Sequence, residues 1–207
     1  TWETSPVSDF HSAIFQGGVL LPSGKVLAIP YNIYSFGTNI IYNPTANVWE
    51  GGPTTSPGTG AFQSGVLLPN GKVLLLPWSY TGTNNIYNPI TNNWEPGPSV
   101  SLGSTPLDRG ILLPNGKVFL FPYSYTGTNT IYNPTTNAWE SGPSNPPTVA
   151  LPFSGGVLLP NGKVFAVPNQ YTGTNIIYNP TTNAWEAGPA GPRLSAFQGG
   201  VLLPNGK

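Results

Sequence analysis

The sequence of 207 residues predicts an all-β fold, a β-propeller built from four-stranded antiparallel blades. The first observation is a Trp-Glu pair that recurs at spacings of 47, 45, 45 and 46 residues, at Trp2, Trp49, Trp94, Trp139 and Trp185. The second is a hairpin signal in every repeat, two apolar runs around a turn dipeptide. The third is that Pro and Gly interrupt any helical periodicity. A unit of about 46 residues is within the range of propeller blades.

Each element of one repeat can be justified between Gly65 and Glu95. Apolar residues predict strand a over 66–68, strand b over 72–76, strand c over 84–87 and strand d over 93–95. Asn70-Gly71 predicts a type I′ turn between strands a and b, because both residue types tolerate positive φ. Asn and Pro in 88–92 predict the turn between strands c and d.

We interpret the chain as one domain with repeat units at about 4–50, 51–95, 96–140 and 141–186. Residues 1–3 and 187–207 are the strand d and strand a of a partial blade, so we expect five blades with one incomplete. About 23 further residues, the length of 26–48, would complete the ring. Missing residues or another chain could fill the gap, which makes self-assembly through the incomplete blade an expectation; six or more blades stay open.

A β-solenoid is the second alternative and a sandwich the third, since solenoid coils are shorter and a sandwich needs no near-identical repeats.

The repeated segments Val-Leu-Leu-Pro-Asn-Gly-Lys-Val and Ile-Tyr-Asn-Pro-Thr-Thr-Asn-Ala-Trp-Glu resemble kelch repeats, especially those of propellers of the galactose-oxidase type. The resemblance implies that strand a is innermost. Two features depart from the family pattern: strand b ends in Pro instead of Gly-Gly, and Asn replaces Asp in the c–d turn. The Gly pair instead precedes strand a, at Gly17-Gly18, Gly155-Gly156 and Gly199-Gly200.

The composition argues against nucleic-acid binding, membrane insertion and metal binding. The formal net charge is +0 and only 7% of residues are charged, so no basic patch for nucleic acid is visible. No apolar run is long enough to insert into a membrane, and no signal peptide is visible at Thr1. The chain has no Cys and one His, His11, which is too few ligands for a metal site or for the copper site of galactose oxidase. We expect no cofactor and no metal.

Most charges belong to the repeat and are interpreted as solvated or cross-blade ion pairs rather than as sites. They are Lys25, Lys72, Lys117, Lys163 and Lys207, and Glu3, Glu50, Glu95, Glu140 and Glu186. The charges outside this pattern are Asp9, Asp108, Arg109 and Arg193, all in d–a connections. Ser8, Asp9 and His11 are adjacent in sequence and make a weak catalytic set. We therefore expect no enzymatic activity and assign no catalytic residue.

Aromatic and amide side chains after strand b are the ligand-binding candidates, because ring faces stack on sugar C–H groups and amides bond hydroxyls. The candidates are Tyr31, Trp78, Tyr123, Asn169, Asn39, Asn84, Asn129 and Asn175. The opposing interpretation is that these residues pack between blades and form the b–c turn, and we consider it the stronger for each residue. Tyr in strand c, at Tyr42, Tyr87, Tyr132 and Tyr178, and the Trp of strand d are interpreted as packing residues.

These observations predict a binding or structural module without catalysis, exposed outside a bacterial cell or on a virus particle. A neutral glycan is the first predicted ligand, bound at sites that are repeated around the ring. The alternative is a scaffold subunit that contacts protein partners. An oxidase is the third and weakest hypothesis.

Overall fold

A computed structural model describes residues 15–30, 40–53, 62–77, 85–98, 107–122, 129–144, 153–168, 174–190, 200–204 and 206. The regular elements of these segments are sixteen β-strands in four antiparallel sheets, each with four strands in chain order. This confirms the predicted all-β fold and the a-b-c-d order of the repeat. The chain divides into two compact units, Thr1–Ser99 and Val100–Lys207, and each unit holds two sheets.

The first unit contains sheets 1 and 2. Sheet 1 consists of β1 (Phe15–Leu20), β2 (Val26–Pro30), β3 (Ile40–Asn43) and β4 (Val48–Gly51). Sheet 2 consists of β5 (Phe62–Leu67), β6 (Val73–Pro77), β7 (Asn85–Asn88) and β8 (Asn93–Pro96).

The second unit contains sheets 3 and 4. Sheet 3 consists of β9 (Leu107–Leu112), β10 (Val118–Pro122), β11 (Thr130–Asn133) and β12 (Ala138–Ser141). Sheet 4 consists of β13 (Phe153–Leu158), β14 (Val164–Pro168), β15 (Thr174–Asn179) and β16 (Ala184–Ala190). The structure thus describes four complete sheets, and the fifth blade stays a prediction.

Strand a is longer than the sequence predicted. In sheet 2 it begins at Phe62 rather than at residue 66, and the pairing Phe62↔Pro77 is followed by Ser64↔Leu76, so a β-bulge separates them. The predicted placement of the glycine pairs before strand a is wrong for Gly17-Gly18 and Gly155-Gly156, which lie inside β1 and β13. The bulge allows the strand to continue beyond the apolar run that marked it in the sequence.

The predicted type I′ turn is also wrong. Gly71 has a φ of 81°, whereas Asn70 is not among the described residues with positive φ. Leu68 accepts a hydrogen bond from the Gly71 N–H over 2.9 Å and donates its own N–H to the Lys72 carbonyl over 2.8 Å. This is a three-residue loop, a type I turn followed by a left-handed glycine. Pro69 favours the observed geometry for two reasons. Its fixed φ suits the second position of a type I turn, and as the first residue of the predicted type I′ turn it would have no N–H to donate to the Lys72 carbonyl.

The core of the first unit lies between its two sheets. Leu27 and Ile29 of β2 cluster with Phe62, Leu75 and other residues of sheet 2. β1 contacts β5, so the two strands a are neighbours. In the second unit, β9 contacts β13 in the same way, and a second core joins sheets 3 and 4, with Phe119 and Phe121 at the repeat positions of Leu27 and Ile29. The innermost position that the resemblance implies for strand a stays a prediction.

Aromatic pairs extend this core toward strand d. Tyr87 pairs across the ladder with Trp94, with ring centroids 5.4 Å apart, and Trp94 packs against the core of its unit. In the second unit, Phe119 of sheet 3 stacks on Tyr178 of sheet 4 at 4.1 Å, and Trp185 packs beside them. The prediction that the strand-c Tyr and strand-d Trp are packing residues is confirmed at these positions.

Candidate functional site

One polar network recurs at the end of each sheet where the a–b and c–d turns lie. In sheet 2, Lys72 Nζ donates to Glu95 Oε2 over 2.6 Å, and Asn88 Nδ2 donates to Glu95 Oε1 over 2.7 Å. The carboxylate of strand d therefore joins the a–b turn to the end of strand c. The other three networks are Lys25–Glu50–Asn43, Lys117–Glu140–Asn133 and Lys163–Glu186–Asn179.

Of the two alternatives that the sequence left open for these charges, solvated or cross-blade pairs, the cross-blade one is wrong. Each ion pair joins the a–b turn to strand d of the same sheet, and its side chains are partly exposed. The hydrogen bond from Lys72, followed by that from Asn88, holds the pKa of Glu95 below its usual value of 4.5. The same two kinds of donor lower the pKa of Glu50, Glu140 and Glu186. All four carboxylates are therefore ionised and paired at neutral pH, and each one bonds only the Lys and Asn of its own repeat in these networks.

The turn Asn has one role that the sequence predicted, a bond to its own backbone, and one that it did not, a bond to the Glu of strand d. Asn88 Oδ1 accepts the N–H of Ile90 over 3.0 Å, while Nδ2 of the same side chain donates to Glu95. An aspartate could accept from the turn but could not donate to a glutamate. The sequence contains a signal for this bond, since each of the four complete repeats has both Asn in place of the kelch-type Asp and the Trp-Glu pair.

In the sequence, the predicted ligand-binding residues lie from the end of strand b to the first residues of strand c. Of these, Tyr31, Trp78, Tyr123, Asn169, Asn39 and Asn84 lie outside the described residues. Asn129 is buried and donates from Nδ2 to the Pro143 carbonyl over 2.7 Å, and Asn175 donates to the Pro189 carbonyl over 3.0 Å. These two amides fasten the start of strand c to the end of strand d. A ligand-binding role for the eight residues stays a prediction.

Among the described residues, no group of three or more His, Cys, Asp or Glu side chains is placed to hold a metal ion. The described segments also contain no helix with the length and hydropathy needed to cross a lipid bilayer.

Comparison with known proteins identifies the architecture. No family model matches the chain, and no curated protein matches its sequence. Among solved structures, YCF48 bound to D1 peptide is similar with a TM-score of 0.64 and 14% identity, over 90% of this chain and 57% of that one. YCF48 and the BT4673 domain compared below are β-propellers. The fold is a β-propeller.

Two other similar structures are of the extracellular domain of BT4673 from B. thetaiotaomicron, described as a one-component system in one and a hybrid two-component system in the other. Their TM-scores are 0.63 and 0.64, with 14% and 12% identity, over 86% and 96% of this chain. The chain spans 23% and 25% of their length, and little more than half of YCF48. At this identity the likeness shows the fold alone, and the kelch type stays a prediction.

Proposed function

We propose that this chain is a non-enzymatic binding module that holds a neutral glycan at the end of its sheets where strands b and c are connected. The observation that carries the proposal is the pairing of charges at the opposite end. There, the repeated Lys and Glu residues are bonded to each other within each sheet, so they serve the scaffold. The residues that change between repeats after strand b are uncharged: Tyr31, Trp78, Tyr123 and Asn169.

The chemistry of these residues suits a sugar. A Tyr or Trp ring offers an apolar face to C–H groups and, at its polar tip, a hydrogen-bond donor. An amide such as Asn169 can both donate to and accept from a hydroxyl. Several weak sites on one module would bind a multivalent glycan more tightly than any single site.

The proposed location is outside a bacterial cell or on the surface of a virus particle. Support comes from two similar structures, both of which are of an extracellular domain. The small number of charged residues, 7% of the chain, is the second reason.

A protein-binding scaffold is the second candidate, and one comparison favours it. YCF48, which shares the propeller fold, is described as bound to a peptide. A protein partner would use the same end of the sheets, because connecting segments carry most binding residues in folds with a rigid scaffold.

Glycan-array binding tests the proposal. We expect the protein to bind a subset of neutral glycans, and Trp78→Ala and Tyr123→Ala to weaken that binding by roughly tenfold or more. The matched control is Ile90→Ser, which changes a side chain that is 90% exposed in the c–d turn, at the other end of its sheet. The control variant should bind like the parent protein. A blank array together with binding to a peptide array would reject the glycan and favour the scaffold.

A further inference from the structure

Two charged residues stand in succession in one strand a, β9, where they follow Leu107 as Asp108 and Arg109. The other three strands a hold uncharged residues at the same two repeat positions: Gln16-Gly17, Gln63-Ser64 and Ser154-Gly155. The predicted placement of Asp108 and Arg109 in a d–a connection is wrong, because both lie inside β9. Sheet 3 therefore differs from the other three sheets in the charge of its strand a.

These two positions coincide with a β-bulge. Leu107 pairs with Pro122 and Gly110 pairs with Leu120, so two residues of β9 lie opposite a single residue of β10. The pairing of strands a and b shifts at the corresponding place in the other three sheets. A bulge redirects side chains, and bulges are frequent beside functional sites. Arg109 thus lies at a point of the sheet where a side chain can be presented to a ligand.

The aliphatic part of the Arg109 side chain lies against Gly155 of the neighbouring strand β13. A Cβ at Gly155 would lie 3.1 Å from Cδ and 3.5 Å from Cβ of Arg109. Gly155 is buried and has a φ of 113°, which side chains of L-residues rarely adopt. Arg109 itself is exposed. The glycine therefore leaves room for the stem of the arginine, while the residue stays accessible to solvent.

Arg109 also differs from the repeated lysines in its partners. The Nζ atoms of Lys25, Lys72, Lys117 and Lys163 each lie 2.6 Å from a Glu oxygen. Among the side chains that the structure describes, Arg109 forms no ion pair with a carboxylate. A guanidinium presents a planar fork of N–H donors that matches a carboxylate. Arg109 is therefore suited to bind a carboxylate from outside the described part of the chain.

We infer that Arg109 binds the carboxylate of an acidic sugar, a uronic acid, in the glycan that the chain holds. The inference rests on the proposed function and adds one acidic unit to an otherwise neutral ligand. Leu107, two residues before Arg109, pairs with Pro122, and the candidate Tyr123 follows Pro122 in the sequence. An aromatic ring for a sugar face and a guanidinium for its carboxylate are complementary. The other three sheets have no charge at these positions, which limits the acidic unit to sheet 3.

A set of oligosaccharides that contain glucuronic or galacturonic acid tests the inference, together with the same set after reduction of each carboxyl group to an alcohol. We expect the full chain to bind at least one acidic oligosaccharide roughly tenfold more tightly than its reduced form in titration calorimetry at low salt. Arg109→Gln should abolish this preference and leave binding of the reduced form unchanged. Arg109→Lys should keep part of it, because the charge remains and the fork is lost.

Two controls separate a local site from general charge effects. Lys72→Gln removes the same charge from an ion pair in sheet 2, and its preference for the acidic form should equal that of the parent. Asp108→Asn should preserve or increase the preference, since it removes a neighbouring negative charge. Loss of the preference in either control would overturn the inference, because net charge or an internal pair with Asp108 would then explain the role of Arg109.

The remaining outcomes distinguish this inference from the proposed function. Equal binding of the acidic and reduced forms by the parent protein, or a preference that survives Arg109→Gln, would overturn the carboxylate site and leave glycan binding intact. No binding of either form would reject both. Binding of a short Glu-containing peptide that depends on Arg109, without any glycan binding, would also overturn the inference, because the carboxylate would then come from a protein partner.

Discussion

The hydroxyl of Tyr87 donates a hydrogen bond to Oδ1 of Asn92 over 3.0 Å, and Asn92 adopts a left-handed φ of 50°. A buried ring of strand c thereby holds the one strained residue of the c–d turn. The same bond, also 3.0 Å long, joins Tyr42 to Asn47, Tyr132 to Asn137 and Tyr178 to Asn183. Asn tolerates positive φ better than most residues, so the repeated Tyr and Asn form one structural device.

Removing this hydroxyl should destabilise the protein without loss of fold. We expect Tyr87→Phe to lower the free energy of unfolding by about 1 kcal/mol, because the ring stays packed and one hydrogen bond is lost. Urea denaturation measures the change. Tyr42→Phe is the matched control, since Tyr42 is less buried than Tyr87 and water can replace its partner more easily. Equal losses at both positions would show that burial does not set the strength of this bond.

Restoring the kelch-type aspartate should weaken the polar network. Asn88→Asp would remove the Nδ2 donor to Glu95 and place a second carboxylate within about the present 2.7 Å of it. We expect a loss of roughly 1–3 kcal/mol at neutral pH and a raised pKa of Glu95, because like charges disfavour ionisation.

Urea denaturation at neutral pH and near pH 4.5, the usual pKa of Glu, checks this prediction. The loss should shrink at the lower pH, where one carboxyl can take up a proton and become a donor. Asn43→Asp in the more exposed network of sheet 1 is the control and should cost less. A loss that is independent of pH would contradict the proposed charge repulsion.

Much of the fold could be predicted from the sequence because short local patterns determine its hairpins and strands. Asn70-Gly71 between two apolar runs is enough to locate the a–b hairpin, and the Trp-Glu pair locates strand d. The beginning of strand a was missed because the bulge after Phe62 breaks the period-two pattern. The Asn-Gly preference gave the wrong turn type because the preceding residue is Pro69, which has no N–H to close a two-residue loop and whose fixed φ suits a type I turn.

The candidate site was less predictable, because its residues meet through tertiary structure. Lys72 and Glu95 were both recognised as repeated charges, yet their spacing alone could not show that they belong to one sheet. Asn129 illustrates the converse difficulty. Its position beside aromatic residues suggested a ligand, whereas its described amide bond runs to the Pro143 carbonyl. Sequence alone does not separate an amide that binds a ligand from one that ties two strands together.

The four networks should make stability depend on acidity below pH 4.5. Because the pKa of Glu50, Glu95, Glu140 and Glu186 is lowered in the folded protein, the unfolded chain binds more protons as the pH falls. Their contribution is complete above 4.5, the unfolded value, and is lost as the pH falls through the folded pKa values. Urea denaturation over a pH series measures it, and added salt should reduce the effect because the pairs are partly exposed. Glu95→Gln should remove the contribution of one of the four glutamates to the pH dependence of the free energy of unfolding. A free energy of unfolding that is constant below pH 4.5 would contradict the lowered pKa of these groups.

Close packing of neighbouring strands a should make Gly65 intolerant of a side chain. A Cβ there would lie 2.8 Å from Ile29 Cδ1, 3.1 Å from Val19 Cγ2 and 3.2 Å from Val73 Cγ1. We expect Gly65→Ala to lower the free energy of unfolding by about 1–3 kcal/mol, through overpacking between sheets 1 and 2.

The control for this variant is Gly51→Ala, because a Cβ at Gly51 would meet nothing within 4 Å. Its effect should be small, and both variants can be compared by thermal and urea denaturation. Ile29→Val removes the Cδ1 atom that the new methyl group would strike first, at 2.8 Å. The double variant should therefore be less destabilised than the sum of the two single changes. If the effects are additive instead, the cost at Gly65 does not come from contact with Ile29, and strand a of sheet 2 does not pack on strand b of sheet 1 as closely as this distance requires.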